Sequence, residues 1–465
     1  MTLIDHAPLA GIGLFLDFLK QTFKPKQLAL VKIEIWEFLL LPFYLIIPIF
    51  MAIIIPSDKD RRLFSWGLFA KVAGVMGFTG VYLLYYGGGD TTAYFQVASA
   101  LNKLILQNPS QGLEALFSGY SSEIYSYFNS NTGFPYRYIC AANSTYLVSK
   151  FVTVFSFAGL NSYMLTSILL ACLFFLPAWD FHKTISTFYS TPSRILSVCT
   201  LFVPSVLFWG GGISKDSITY ASLLLLISGT YWVFLKKRLI VWRIFSIVVS
   251  ATLITVIKPY IILVFLSSAL LWIFYDQITK LSNPILRVII LPTLGIFLIV
   301  ILSALFGTFS AVLGDYSSEK IIEKAIVSQQ DLKRDYYGGN NFDIGTIEPN
   351  TVGVLSKFPI ATFWGFYGPT VLNVNSAIML FSAIETTILL FLTISILTFK
   401  NPLTTLKYLR SSAFLTFCLV FCVAFAFGIG LSTPNFGALV RFRIPLLPLF
   451  SLLLTTIFFR LKIDD

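Results

Sequence analysis

The chemistry of this chain gathers around a carboxylate delivered by three consecutive glycines. Gly87, Gly88 and Gly89 close an apolar stretch and run directly into Asp90, Thr91, Thr92, Ala93 and Tyr94. Glycine lets the backbone turn sharply and approach a ligand closely. An acid beside an apolar run is costly unless it is paired, solvated or used. Asp90 reads as the cap of a helix that starts at Thr91, and equally as a base able to take a proton. Cationic residues recur at the ends of other apolar stretches: Arg137 after Pro135 and Tyr136; Lys215, beside Asp216, after Gly210, Gly211 and Gly212; Lys258 before Pro259; Arg441 and Arg443 before Pro445. A carboxylate with several cations suits transfer of a group from a phosphate leaving group. The cations neutralise charge on the departing phosphate, and the carboxylate accepts the proton of an incoming hydroxyl or amine. Each residue also has a plainer reading: Asp216 or Ser217 as a helix cap with Lys215 as its local partner, Lys258 as a snorkelling lysine, and the arginines as interfacial anchors.

The elements that must position these residues are membrane helices. With 465 residues, 56% of them hydrophobic, and a mean hydropathy of +0.81, the chain is too apolar for a soluble globular protein. The expected fold is all-α, a polytopic transmembrane bundle of about eleven spans of roughly 20 residues each. They fall at 36–55, 64–86, 162–179, 195–210, 217–235, 240–257, 260–276, 286–305, 376–398, 412–430 and 444–460. Residues 1–35, carrying Lys20, Lys24, Lys26 and Lys32, read as an amphipathic segment lying on a membrane surface. Asp5 and Asp17 interrupt its apolar run, so it does not read as a signal peptide. Residues 36–465 then form a single transmembrane domain with two long external regions, 87–161 and 306–375.

Two amphipathic helices are expected inside 87–161. The first, at 92–106, gathers Tyr94, Val97, Ala98, Leu101, Leu104 and Ile105 on one face; the second, near 141–157, is apolar but short. A third, at 318–334, precedes Asp335, Tyr336, Tyr337, Gly338 and Gly339 in the second region.

Charge sets the expected orientation. The net charge of +11 comes from Lys and Arg in short loops, among them Lys59, Arg61 and Arg62, then Lys236, Lys237 and Arg238. Such loops are cytoplasmic by the positive-inside bias, which puts Asp90 and the cations above outside. The same bias explains the basic balance without nucleic acid. The five cysteines have no disulfide or zinc spacing. His6 and His182 stand apart from other ligand types, which leaves acid–base work to carboxylates.

The order of these motifs resembles the GT-C superfamily of membrane glycosyltransferases, in the branch of protein O-mannosyltransferases and lipid A aminoarabinose transferases. Asp90 through Tyr94 resembles that branch's Asp-Glu-x-x-Tyr opening of an external helix. Phe157, Ala158, Gly159, Leu160 and Asn161 resemble its Phe-Gly-like turn. Pro204 through Asp216 is similar to its Pro, small residues, Asp pattern, and Lys258 with Pro259 to its Lys-Pro. Arg441 through Pro448 is similar to its Arg-x-x-x-Pro-x-x-Pro. The resemblance covers most of residues 64–460 and rests on motif order. It implies a transferase that uses a polyprenyl-phosphate-linked sugar, with Asp90 as general base and Lys215, Lys258, Arg441 and Arg443 on the donor phosphate. Tyr94, Arg137, Asp216, Tyr336 and Tyr337 would contact substrate, with 306–375 as a lid hinged at Gly338 and Gly339. The implied partners are the lipid-linked donor, a glycan, lipid or protein acceptor, and membrane lipids, at a bacterial inner membrane with the site outside the cytoplasm. Thr91 stands where the family often has a second acid, so a divalent metal has no defined ligand set here.

Two other functions fit part of the pattern. A polysaccharide polymerase or ligase of the O-antigen type would lean on external arginines more than on an early Asp. A lipid-linked glycan transporter or flippase would need polar groups along a route through the bilayer. The stretches 286–305 and 376–430 carry few such groups; Glu385 is the exception, with a hydrogen bond to a neighbouring helix as its simplest role. No glycine-broken inverted repeat supports the transporter.

Overall fold

The structure, a computed structural model, describes residues 31, 33–189, 194–238, 240–280, 326–333, 340–348, 350–374 and 376–463. Among these the fold is helical, with two isolated bridges, Tyr189 to Ile463 and Asn341 to Asn435, and no strand. The all-α expectation therefore holds. The chain divides into two compact units, one of residues up to Phe175 together with Gly211–Ser217, the other of Leu176–Gly210 and residues from Ile218 on.

Six helices among the described residues are long and apolar enough to cross a membrane: Ile35–Ile54, Arg61–Tyr85, Tyr163–Ser186, Lys215–Leu235, Ile378–Phe399 and Ala413–Ser432. Phe436–Phe442 and Leu447–Phe459, bent by 75°, make a seventh if the pair is one span. The remaining expected spans fall short for identifiable reasons. The stretch 195–210 is two helices, Arg194–Leu201 and Pro204–Trp209, because Pro204 lacks an N–H and holds Val203 extended (φ −66°, ψ 117°). Val241–Ile257 and Pro259–Ile273, of 17 and 15 residues, are parted at Lys258, whose φ and ψ of −145° and 75° are those of a residue before proline. The stretch 286–305 lies outside the described residues, as does 1–30.

In the first unit, Asp90–Gln107 packs along Asn143–Ala158. Tyr94, Val97, Ala98, Leu101 and Leu104 are buried on its inward face, as the periodicity predicts. Asn102 is buried among them, and its amide donates to Thr153 O (3.1 Å), Ser156 Oγ (2.7 Å) and Asn161 Oδ1 (3.0 Å). That set ties the first helix to the second and to the turn after it, so a buried polar group is satisfied and the pairing register is specified. The Ile35–Ile54 helix joins the same unit through two contacts: Ser162 Oγ donates to buried Glu37, and Tyr44 OH donates to Ala158 O. Its outer face leaves Leu39, Phe43, Ile46, Phe50 and Ile53 exposed, as a lipid-facing helix does.

In the second unit, Phe414, Phe417, Phe421 and Phe425 share one face of Ala413–Ser432, and Trp272 stacks on Phe417 with ring centroids 4.8 Å apart. The opposite approach is made by Phe358–Tyr367. A Cβ on Gly365 would stand 2.0 Å from Ala426 O, and one on Gly430 would stand 1.9 Å from Ala361 O. Small residues four apart on both helices (Ala361 and Gly365, Ala426 and Gly430) are what permits backbone-to-backbone contact between apolar helices. This helix falls inside 306–375, which reads as polar from sequence; the tightest helix pair of the unit is built from its C-terminal part.

Candidate functional site

Asp90 is presented by backbone that only glycine tolerates. The Arg61–Gly80 helix ends in a π-turn, Val81–Tyr85, and Gly88 N–H donates to Tyr82 O at 2.9 Å. Gly87, Gly88 and Gly89 then take φ of 68°, 135° and 146° in succession. These values are strained or forbidden for residues with a Cβ, and a Cβ on Gly89 would stand 3.0 Å from the Tyr82 ring. Asp90 follows as the first residue of its helix and is exposed. The cap expected of Asp90 belongs instead to Thr92: Gly89 N–H donates to Thr92 Oγ1 (2.9 Å), and Thr92 Oγ1 donates back to Gly89 O (2.8 Å). Thr91 is buried and hydrogen-bonded to the Tyr163 hydroxyl. The Asp90 carboxylate stands in the first turn of its helix, at the positive end of the helix dipole.

The same unit holds the second glycine run. Lys215 opens the Lys215–Thr230 helix and donates to Ser144 Oγ at 2.9 Å, while Asp216 beside it is buried. Ser214 is the cap there, accepting from Ser217 N–H at 3.1 Å, so neither Asp216 nor Ser217 is needed for that role. Sequence reading passed over Lys71. It is buried in the Arg61–Gly80 helix, its Nζ only 3.3 Å from where a Cβ on Gly211 would lie. A Cβ on Gly212 would strike the Phe78 ring at 2.4 Å. The glycines are thus the residues that let a lysine-bearing helix pack against the loop before Lys215. The detectable signal was a lone lysine in an otherwise apolar span.

Tyr94 lies buried on the inward face of its helix, which argues for support rather than ligand contact. Arg137 is exposed, its guanidinium 4.6 Å from the centroid of the Tyr125 ring. Tyr125 is the middle of an aromatic group, with Tyr120, Phe128 and Phe134 at ring-centroid distances of 6.1, 6.5 and 6.2 Å. Nothing in the spacing of these rings announces them, because they come from a short helix and the irregular loops around it. Nearby, burial pushes the Cys140 thiol up to about 12 even though the Lys150 charge acts in the other direction.

In the second unit Lys258 and Arg441 each lie against aromatic rings. Lys258 Nζ sits 4.1 Å from the Phe442 ring centroid and 6.0 Å from that of Tyr260; the Arg441 guanidinium sits 5.8 Å from that of Trp209. Arg443 is placed differently. It is fully buried, and its Nη1 donates to Phe366 O at 3.4 Å and to Gly368 O. Its Nη1 is tied to backbone carbonyls at the bend between the last two helices, while Nε and Nη2 are buried with no hydrogen-bond partner among the described residues. Its charge interacts with that of Glu385, whose Oε2 accepts from Ser205 N–H at 2.9 Å. The hydrogen bond expected of Glu385 is therefore present. Tyr336, Tyr337, Gly338 and Gly339 lie outside the described residues. No group of three or more His, Cys, Asp or Glu side chains comes together among the described residues.

No protein-family model, no curated protein and no solved structure matches this chain. The helices define a membrane-embedded α-helical protein by their length and composition.

Proposed function

We propose that the protein is a multi-pass glycosyltransferase of the bacterial inner membrane, moving a sugar from a polyprenyl-phosphate donor to an acceptor outside the cytoplasm. The observation that carries this reading is Asp90: an exposed carboxylate at a helix start, held there by three positive-φ glycines. In the step we envisage, Asp90 accepts the proton of the acceptor hydroxyl as its oxygen bonds to the anomeric carbon. The bond from that carbon to the phosphate oxygen breaks, and its electron pair leaves with the lipid phosphate. Positive charge for the departing phosphate is assigned to Lys215, which opens its helix in the same unit as Asp90. Attack from the face opposite the leaving group inverts the anomeric centre. The test is Asp90→Asn in purified protein with a polyprenyl-phosphate sugar. We expect transfer to fall by at least about a hundredfold with the thermal melt unchanged; transfer near the wild-type rate removes Asp90 as base.

The pairing of Lys258 and Arg441 with the rings of Phe442 and Trp209 favours a second reading, a polymerase or ligase acting on lipid-linked glycans. It predicts that Arg441→Ala is more damaging than Asp90→Asn, so comparing those two variants separates the readings. Net movement of lipid-linked glycan across reconstituted vesicles without transfer would speak for a flippase over both.

A further inference from the structure

The aromatic group around Tyr125 is a site to which the transferase chemistry assigns no role. Residues 118–138 contain five tyrosines and five serines, with Asn129, Asn131, Gly119 and Gly133 between them. That mixture differs from the continuous apolar faces by which the chain meets lipid. It resembles recognition surfaces, where tyrosine gives rigid amphipathic contact area and small polar residues give adaptable hydrogen bonding. The rings are accessible: Phe134 is 59% exposed and Tyr138 is 62% exposed. Tyr138 sits beside Tyr136 at 5.6 Å between centroids.

Arg137 gives the patch its charge preference. Its guanidinium carbon lies over the Tyr125 ring, and among the described residues it makes no hydrogen bond or ion pair. A guanidinium presents its N–H donors in a planar fork that matches a carboxylate. The carboxylate of the neighbouring helix, Glu114, is occupied by the Tyr127 hydroxyl at 3.1 Å. A ligand for this patch therefore carries an anionic group for Arg137 and, beside it, weakly polarised C–H groups for the negative faces of the exposed rings. A pyranose bearing a carboxylate has both on one small ring.

We propose that residues 120–138 form an acceptor subsite for an acidic saccharide, with Arg137 binding the carboxylate of a uronic acid and Phe134 and Tyr138 stacking on the sugar. The assignment rests on the transferase reading and adds the acceptor class to it. Arg137 and the rings are binding residues here; the proton chemistry stays with Asp90.

The test is a binding measurement that needs no turnover. Full-length protein in phosphatidylcholine nanodiscs is titrated with a hexuronate tetrasaccharide, its methyl-esterified form, and a neutral hexose tetrasaccharide. We expect the free acid to bind at least about tenfold more tightly than the ester, the worth of one charged hydrogen-bonding pair. Arg137→Ala should remove that preference and Arg137→Lys should restore part of it. Phe134→Ala should weaken the acid and the ester alike, and Phe134→Tyr should restore both. Asp90→Asn should bind as wild type does. Equal affinity for acid and ester, or an unchanged preference in Arg137→Ala, overturns the proposal. So does absence of saccharide binding with Arg137-dependent enrichment of phosphatidylglycerol, which would make the patch a lipid anchor. Acid binding without any transfer upholds the subsite and removes the transferase; transfer to neutral acceptors alone does the reverse.

Discussion

The Lys258 ammonium stands 4.1 Å from the centroid of the Phe442 ring, and Lys258 is buried. A ring face attracts an ammonium by about 0.5–2 kcal/mol, and positive charge at a buried position acts strongly on an anion beside it. Lys258→Met preserves the length and packing of the side chain, so the thermal melt in detergent should stay within a few degrees of wild type. Binding of a polyprenyl phosphate to the purified protein should weaken by at least about tenfold. A variant with unaltered affinity leaves Lys258 as a snorkelling lysine and nothing more.

The closest helix contact can be tested without any assay of function. Gly430 and Gly428 sit on one helix, yet a Cβ on Gly430 would meet Ala361 O at 1.9 Å, while one on Gly428 would meet nothing within 4 Å. Gly430→Ala should destabilise the protein by about 1–3 kcal/mol, the usual cost of overpacking. Gly428→Ala should be neutral or gain up to about 1 kcal/mol from helix propensity. Paired melting curves decide it: equal midpoints would mean that the two helices do not approach this closely.

These contacts show what sequence can and cannot carry. The inward face of Asp90–Gln107 was legible because 3.6-residue periodicity needs only local pattern. The break at Lys258 and Pro259 was legible because proline acts on its immediate neighbour. Thr92 as the cap was not, since Asp90, Thr92 and the glycines offer overlapping capping chemistry, and three positive φ values decide between them. Arg443 and Arg441 look equivalent two residues apart, but a turn between helices sends one into carbonyls of residues 366 and 368 and leaves the other on Trp209. Phe358–Tyr367 was hidden because its close packing depends on Ala426 and Gly430, far along the sequence on another helix.

The first unit carries a chemical reporter of its own packing. Cys140 is buried, which pushes its thiol up to about 12, and labelling reagents react with the thiolate. Because the shift is upward, the neutral thiol persists across the pH range of ordinary labelling, and the thiolate fraction at pH 8 is about one in ten thousand. Maleimide should therefore label Cys140 slowly at pH 7 to 9 in folded protein and rapidly once the protein is unfolded in denaturant. Fast labelling in the folded state would mean that the packing around the Arg137–Ala141 helix is looser than described.

The glycine before Asp90 offers the sharpest separation of structure from chemistry. Gly89 has φ 146° and ψ −164°, and a Cβ there would lie 3.0 Å from the Tyr82 ring. Alanine in that conformation costs on the order of 1–3 kcal/mol, and the chain can relieve the strain only by rotating the residues that aim Asp90. Gly80, one turn of π-helix earlier, has nothing within 4 Å of its Cβ position. Gly80→Ala should leave both the melt and transfer unchanged. Gly89→Ala should lower the melt modestly but cut transfer by more than about tenfold, because proton abstraction requires hydrogen-bond reach to the acceptor. The decisive comparison is made at a temperature where both variants are fully folded. If Gly89→Ala transfers sugar as well as Gly80→Ala there, the glycine run serves only to end the helix, and Asp90 has no need of the conformation that presents it.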